Sequence, residues 1–199
     1  MKIIKLNIEN FSLEDIENIS SEIKKGKILV LPTDTIYGLS ALATNKKSVE
    51  KICDIKNRDR KKNLVVIMKS FCMVRKYCYL SQNQYKFVKE SLEKNRPTTV
   101  ILRGRNNLPK YLLDKNGGIA VRIPIKSNFL IKVLENVNKL LVSTSLNVAG
   151  EKELTEVKNV EKYFKKSKPD IVVDAGRIFA RASRIVDIRD MNNVKVLRK

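Results

Sequence analysis

The sequence predicts an α/β fold in which a mixed sheet is covered by helices. Two observations carry that expectation. Short apolar runs of strand type alternate with segments whose apolar residues recur at helical spacing. No repeat, low-complexity linker or shift of composition divides the 199 residues. A single domain over residues 1–199 follows, because a chain of this length can bury one sizeable core.

The elements follow in order. Ser12 and Asp15 have the form of a capping signal, and Leu13, Ile16, Ile19 and Ile23 then recur at helical spacing until Gly26. Residues 27–31 read as a short strand. Residues 48–56 read as a helix with Val49, Ile52 and Cys53 turned inward, and 64–68 (LVVIM) has the continuous apolar character of a buried strand. Ser81 is placed to cap a helix carrying Tyr85, Val88 and Leu92. Strands are expected at 98–102, 119–123 and 140–143, with a helix over 127–138 between the last two. A helix over 160–166 and strands at 171–174, 184–188 and 194–197 complete the alternation.

Composition narrows the partners. The chain carries 41 Lys and Arg against 21 Asp and Glu, a formal charge of +20. Such an excess attracts nucleic acid, nucleotides or phosphate. A bias toward Lys, Asn and Ile accounts for it equally well, and the doublets at 24–25, 46–47 and 165–166 stand where helix ends put solvated lysines. No apolar run is long enough for a bilayer span. Asn7 and Glu9 interrupt the segment that a signal peptide keeps apolar, so a cytoplasmic protein with no membrane partner is expected. Cys53, Cys72 and Cys78 have no CxxC spacing and no histidine to complete a zinc site, so they read as reduced thiols.

Four polar constellations fall at strand ends or in the loops after them, where α/β proteins place binding groups. Thr33, Asp34 and Thr35, followed by Tyr37, make either a ligand mouth or a turn that Asp34 closes on its own backbone. Lys56, Asn57 and Arg58 precede Arg60, Lys61 and Lys62; in an extended segment Lys56 and Arg58 would point to one side, a point charge and a planar fork for polyphosphate. Arg122, inside the apolar strand of Gly118 to Pro124, needs an anionic partner, which is a structural carboxylate or a ligand. Ser143, Ser145 and Asn147, following the apolar run at 140–142, would share a side in extended chain, offering hydroxyls and an amide to a ligand or capping the next turn.

In this order and spacing, PTDTIYGL at 32–39, KNR at 56–58, GIAVRIP at 118–124, STSLN at 143–147, SRIVD at 183–187 and KVLR at 195–198 resemble the YrdC/Sua5 family over nearly the whole chain. The resemblance is to the short bacterial form, without an extra C-terminal domain. It implies a YrdC-like fold, a strongly twisted mixed sheet with surrounding helices and a basic concave face. It further implies L-threonylcarbamoyladenylate synthesis from L-threonine, bicarbonate or CO2, and ATP, for threonylcarbamoyladenosine in tRNA. By position, Thr35, Arg122, Ser143 and Ser183 would hold threonine or its carbamate, with Tyr37 shaping that end. Lys56, Arg58, Ser145 and Asn147 would surround ATP and do the catalytic work, Lys62 and Arg198 would reach the phosphates, and Gly118 would lie near the nucleotide. Several positions depart from the pattern: Asp59 replaces the usual proline, Ala182 an acidic residue, Arg184 a threonine, and the SANxSGxP run ends in Gly150, Glu151 and Lys152 before Glu153.

The implied reaction explains the absence of histidine. A carbamate oxygen is already an anion when it attacks the α-phosphorus, so the site must supply charge stabilisation and alignment, with Mg²⁺ carried on the ATP phosphates. The expected partners are these substrates and a separate threonylcarbamoyl transferase that takes the labile product, with direct tRNA contact possible. The alternatives are a non-catalytic RNA-binding module of the same fold and an inactive paralogue.

Overall fold

The computed structural model describes residues 1–59, 64–124, 127–164, 167–178 and 180–199. Its strands are β1 (Lys2–Lys5), β2 (Leu29–Leu31), β3 (Gly38–Leu42), β4 (Val65–Ile67), β5 (Cys78–Tyr79), β6 (Thr98–Gly104), β7 (Gly118–Arg122), β8 (Leu141–Ser145), β9 (Ile171–Asp174), β10 (Arg184–Asp187) and β11 (Lys195–Arg198). Its helices are α1 (Leu13–Lys24), α2 (Lys46–Ile55), α3 (Phe71–Tyr77), α4 (Gln82–Glu93), α5 (Asn128–Val137) and α6 (Val160–Tyr163), with a 3-10 turn at Lys110–Leu112.

The strands join one mixed sheet in the order β1-β9-β2-β3-β8-β4-β7-β6-β10-β11, with β5 paired to β6. Parallel pairing joins β1 to β9, β9 to β2, β4 to β7 and β6 to β10; the other pairs are antiparallel. This is the mixed α/β architecture that the alternation predicts.

Local chemistry explains most helix starts. Ser12 and Asp15 form the predicted capping box, and Ser81 forms another with Gln84. Ser127 caps α5, whose end is marked by Asn138 in the left-handed region. The helix expected over 48–56 begins two residues earlier, because the Asn45 side chain accepts from the Ser48 N–H. Leu13 is a correction: it is 76% exposed at the first helical position, outside the stripe of Ile16, Ile19 and Ile23. Lys24 and Lys25 end α1 as expected, whereas Lys46 and Lys47 begin α2 and residues 165–166 lie outside the described residues.

Period-2 alternation sorts the sheet into two faces. One face, with Val30, Leu39, Ala41, Val66, Val142, Val100, Leu102 and Val121, packs against α2, α3 and α4 in a continuous core. On the other face α1 and α5 cover only Leu29, Leu31, Leu42, Ile67, Leu141, Ile171 and Val173. Along β8 the character changes from Leu141 to Ser143 and Ser145, and there the helical cover ends. The uncovered half of that face carries the site.

Burial predicts the energetics of α1. Ile19→Ala, at a position 1% exposed, should cost about 2–5 kcal/mol of unfolding free energy. Leu13→Ala should change it by less than about 0.5 kcal/mol. Denaturant melts of the two variants measure the contrast.

Candidate functional site

The uncovered half of the sheet is the floor of a cleft of about 370 Å³. Alternate residues of adjacent strands form the floor: Val65 and Ile67 on β4, Gly118, Ala120 and Arg122 on β7, Thr99 and Ile101 on β6, and Ser143 and Ser145 on β8. Thr33, Thr35, Ile36 and Tyr37 from the loop after β2, Arg58 after α2, and Ser183, Leu197 and Arg198 form its walls.

The loop after β2 turns on Thr33, not Asp34. The Thr33 hydroxyl donates to the Ile36 carbonyl at 2.6 Å and accepts from the Thr35 N–H at 3.1 Å. Asp34 instead reaches β7, where its Oδ1 lies 2.8 Å from Arg122 Nη2; the two side chains are 2% and 9% exposed. Arg122 Nη1 donates to the Thr35 hydroxyl at 2.8 Å. The partner that Arg122 needs is therefore a structural carboxylate, and the pair fixes the Thr35 hydroxyl in the cleft wall. Tyr37 is fully buried, and its hydroxyl donates to the Gly176 carbonyl at 2.7 Å and accepts from the Ala175 N–H at 2.9 Å. Burial pushes its pKa up to about 12, so it is a neutral strut between the loop and the segment after β9.

Gly38 opens β3 without a side chain because a Cβ there would collide with the Ser143 hydroxyl. That approach lets Ser40 donate to Ser143 Oγ at 3.0 Å. Ser145, like Ser143, is a strand residue, since β8 runs two positions past the expected end at 143.

Lys56, Asn57 and Arg58 correct the extended reading of that segment. Lys56 closes α2 in helical conformation, Asn57 takes a positive φ of 49°, and the Arg58 N–H bonds back to the Cys53 carbonyl at 2.9 Å. The two cations therefore diverge. Arg58 enters the cleft. Lys56, 2% exposed, passes beneath it and donates to Ser145 O at 2.6 Å, Asn147 O at 2.8 Å and Asn147 Oδ1 at 2.6 Å. These bonds engage all three ammonium protons.

Asn147 Oδ1 also accepts from the Ser145 hydroxyl at 2.7 Å, its Nδ2 donates to the Glu151 carbonyl at 2.6 Å, and the Ala149 N–H donates to the Lys56 carbonyl at 2.8 Å. The KxR and SxN segments are thus one hydrogen-bonded unit. Burial, then the neighbouring Arg58, pulls the Lys56 pKa down to about 8, against the opposing charges of Glu153 and Cys53.

On the far wall, Ser183 Oγ shares a 2.8 Å hydrogen bond with Thr99 Oγ1. Arg198 folds over Ser183, donating from Nε and Nη2 to its carbonyl at 2.9 and 2.7 Å. Burial lowers the pKa of both Arg58 and Arg198 from the usual arginine value. Gly118 donates its N–H to Asp114 Oδ1 at 2.7 Å, and a Cβ there would meet Asp114 and Arg189.

Thr35, Tyr37, Arg58, Gly118, Arg122, Ser143, Ser145, Ser183 and Arg198 therefore line one cleft, with Lys56 and Asn147 bracing it from below. Lys62 lies outside the described residues. Asp34 belongs to the first constellation, but sequence reasoning did not pair it with Arg122, and it did not single out Thr99 or Asp114. Alternation through 98–102 carries the signal for Thr99; none in the sequence marks Asp114 as a cleft residue. Among the described residues no group of three or more Asp, Glu, Cys or His side chains could hold a metal.

A family model described as "Telomere recombination" and covering Sua5, YciO and YrdC proteins matches residues 21–199, and the chain belongs to that family. It is 33% identical over 191 residues to a Methanocaldococcus jannaschii protein named provisionally as a threonylcarbamoyl-AMP synthase, spanning 96% of this chain and 87% of that one. It is 25% identical over 185 residues to a Haemophilus influenzae protein named threonylcarbamoyl-AMP synthase, spanning 92% of this chain and 98% of that one. Among solved structures, P. abyssi Sua5 complexed with L-threonine superposes with a TM-score of 0.86 at 23% identity, over all of this chain but 57% of that one. E. coli YciO superposes at 0.85 with 22% identity, over all of this chain and 94% of that one.

Removing one member of the buried pair strands the other charge. Asp34→Ala should cost about 3–5 kcal/mol of stability. Combining it with Arg122→Met should recover part of that loss, as read from denaturant midpoints.

Proposed function

We propose that the cleft is the active site of a threonylcarbamoyl-AMP synthase. The observation that carries this reading is the joining of Lys56 to Ser145 and Asn147 in one hydrogen-bonded unit beneath a cleft that holds Arg58, Thr35, Arg122, Ser143 and Ser183. The names of the relatives matched over nearly the whole chain support it.

In this reading the threonine amine adds to CO2, losing a proton to solvent, and gives a carbamate. A carbamate oxygen attacks the α-phosphorus of ATP; the new P–O bond forms as the bond to the β-phosphate oxygen breaks, and pyrophosphate leaves. Mg²⁺ enters as part of the nucleotide substrate, on its phosphates. Thr35, Ser143 and Ser183 offer hydroxyls to threonine and its carbamate. Tyr37 contributes its ring and its place in the wall, since its hydroxyl is already engaged.

Arg122 is held largely neutralised by Asp34, so Arg58 and Arg198 supply the positive charge that faces the phosphates. Lys56 and Asn147 act from beneath, holding the Ser145 turn in register. The charge-stabilising role expected of Lys56 thus passes to Arg58, and that of Lys56 becomes positional. The product then passes to a threonylcarbamoyl transferase that modifies tRNA. A cytoplasmic location fits this chemistry, and among the described residues no helix is long and apolar enough to cross a membrane.

Pyrophosphate release should require both threonine and bicarbonate, and Arg58→Ala should lower turnover by roughly 10²-fold or more while the protein stays folded. Release that persists with either substrate omitted contradicts the reaction. No release at all, with folded protein, points instead to an inactive paralogue or a binding module.

The Lys56 ammonium gives a second test. Deprotonation removes one of three donors from the turn, so kcat/KM should fall as pH rises through about 8. Glu153 favours the charged form of Lys56. Glu153→Gln should therefore move that descending limb to lower pH, which a pH–rate profile of the two proteins measures.

A further inference from the structure

Among the described residues that line the cleft, Asp114 carries the sole carboxylate. The charged groups around it are Arg58, Arg122 and Arg198, and the rest are hydroxyl or apolar. A fixed anion in a site for a polyphosphate opposes phosphate binding. What it faces therefore decides its use. Asp114 Oδ1 accepts from the Asn116 and Gly118 N–H groups, each at 2.7 Å, and the Asp114 N–H donates to the Gly118 carbonyl at 2.8 Å. Oδ2 meets Arg189, whose Nη1 lies 3.3 Å away. Arg189 is anchored in turn on Asp187 at the end of β10, with Nε 3.0 Å from Oδ1 and Nη2 2.6 Å from Oδ2. The guanidinium holds Asp114 without enclosing it, since the Asp114 side chain is 30% exposed. An ionised carboxylate oxygen with one long contact has room for a further donor.

Gly118 shows which way that oxygen faces. Gly118, Ala120 and Arg122 alternate onto the cleft face of β7, and a Cβ on Gly118 would meet Asp114 Oδ2 and, at 2.8 Å, Arg189 Nη1. The carboxylate and the guanidinium thus stand in the place of the missing side chain, on the cleft floor. Strand register then sets their distance from the SxN turn. Ser143 lies opposite Val65 on β4, and Val66 lies opposite Val121 on β7. Ser145 and Gly118, each farther from the helical cover, therefore share a line across the sheet, two interstrand spacings or about 10 Å apart. Val65, Ala120 and Ile101 make an apolar floor beside that line. A nucleotide with its phosphates at Ser145 and Arg58 lays its base along this floor and brings the rim of the base to Asp114.

We infer that the Asp114 carboxylate, held in place by Arg189, accepts a hydrogen bond from the 6-amino group of a purine and so selects adenine over 6-oxopurine nucleotides. This selectivity presupposes the nucleotide site proposed above and names what reads the base within it. A 6-oxo group would face the carboxylate oxygen with no proton between them, leaving both acceptors unpaired. The ribose lies midway along the line and falls short of Asp114. Arg189 is a positioning residue: it keeps Oδ2 on the cleft floor.

The test is calorimetric titration of the full chain with the Mg²⁺ complexes of ATP, inosine triphosphate and 2′-deoxy-ATP, threonine being omitted. The wild type should bind ATP roughly 10-fold or more tighter than inosine triphosphate. Asp114→Asn can keep both backbone bonds of Oδ1 and puts a donor, Nδ2, where Oδ2 stood. It should reverse the preference, favouring inosine triphosphate. Removing a negative charge strengthens the binding of every triphosphate alike, so the ratio of the two affinities isolates the contact with the base. Arg189→Met should narrow the ratio without reversing it.

The control is Glu135→Gln, the same loss of charge on the surface of α5, where Glu135 pairs with Lys132; it should leave the ratio unchanged. Thermal melts establish that each variant is folded. Three results overturn the selectivity: an equal ATP-to-inosine triphosphate ratio in wild type and Asp114→Asn; a ratio that Arg189→Met leaves untouched; or discrimination against 2′-deoxy-ATP that Asp114→Asn abolishes, which assigns the carboxylate to ribose. Folded wild type that binds none of the three nucleotides overturns the synthase reading and the selectivity together. ATP binding without pyrophosphate release contradicts the reaction alone, and the affinity ratios still decide what Asp114 reads.

Discussion

The architecture of the cleft depends on one buried ammonium. Lys56 leaves the end of α2 and meets three oxygens of the Ser145–Asn147 turn, so a helix terminus and a strand terminus far apart in sequence are fixed by a single group. A buried cation is tolerated only when its donors are satisfied, and a compact head with three donors suits three converging oxygens better than a planar guanidinium would. The same helix terminus directs Arg58. Asn57 reverses the backbone with its positive φ, so the cation after it rises into the cleft while Lys56 stays below.

Around that anchor the sheet tolerates a polar centre because its helical cover is incomplete. Where α1 and α5 pack, alternate residues are Leu, Ile and Val; beyond them β3 and β8 present Gly38 and Ser143 to the cleft, and the nearby β7 presents Ala120 and Arg122. Asp34 neutralises most of the Arg122 charge within the wall. The arrangement separates cations engaged within the wall from those that line the open cleft, and Arg58 and Arg198 belong to the second group.

The pattern of the sheet was largely legible in the sequence because burial on one or both faces imposes apolar runs that local reading detects. β9 was placed without error, and β6, β7 and β8 within a few residues. β1 was missed because its flanking lysines and exposed Ile3 break the apolar pattern at an edge. β3 was missed because GLSAL, though wholly buried, consists largely of small residues that Ser143 and its neighbours require. α3 buries only Val74 fully and has no stripe to find. The site was legible as a set of segments and illegible as a network. The family resemblance gathered nine residues that do line one cleft, yet nothing in KNR reveals that one cation turns down and the other up, or that Arg122 finds Asp34.

The place of β8 has a consequence for how the molecule assembles. This strand, contributed late in the chain, inserts between β3 and β4, and no direct pairing joins those two. Until it arrives, the β2–β3 ribbon and the β4–β7–β6 array are separate pieces, and closing them requires loops that span much of the sequence. Topologies of this kind acquire their order late and slowly compared with locally paired ones. Because the inserted strand carries Ser143 and Ser145, the polar floor of the cleft comes into being in the same event that unites the two halves.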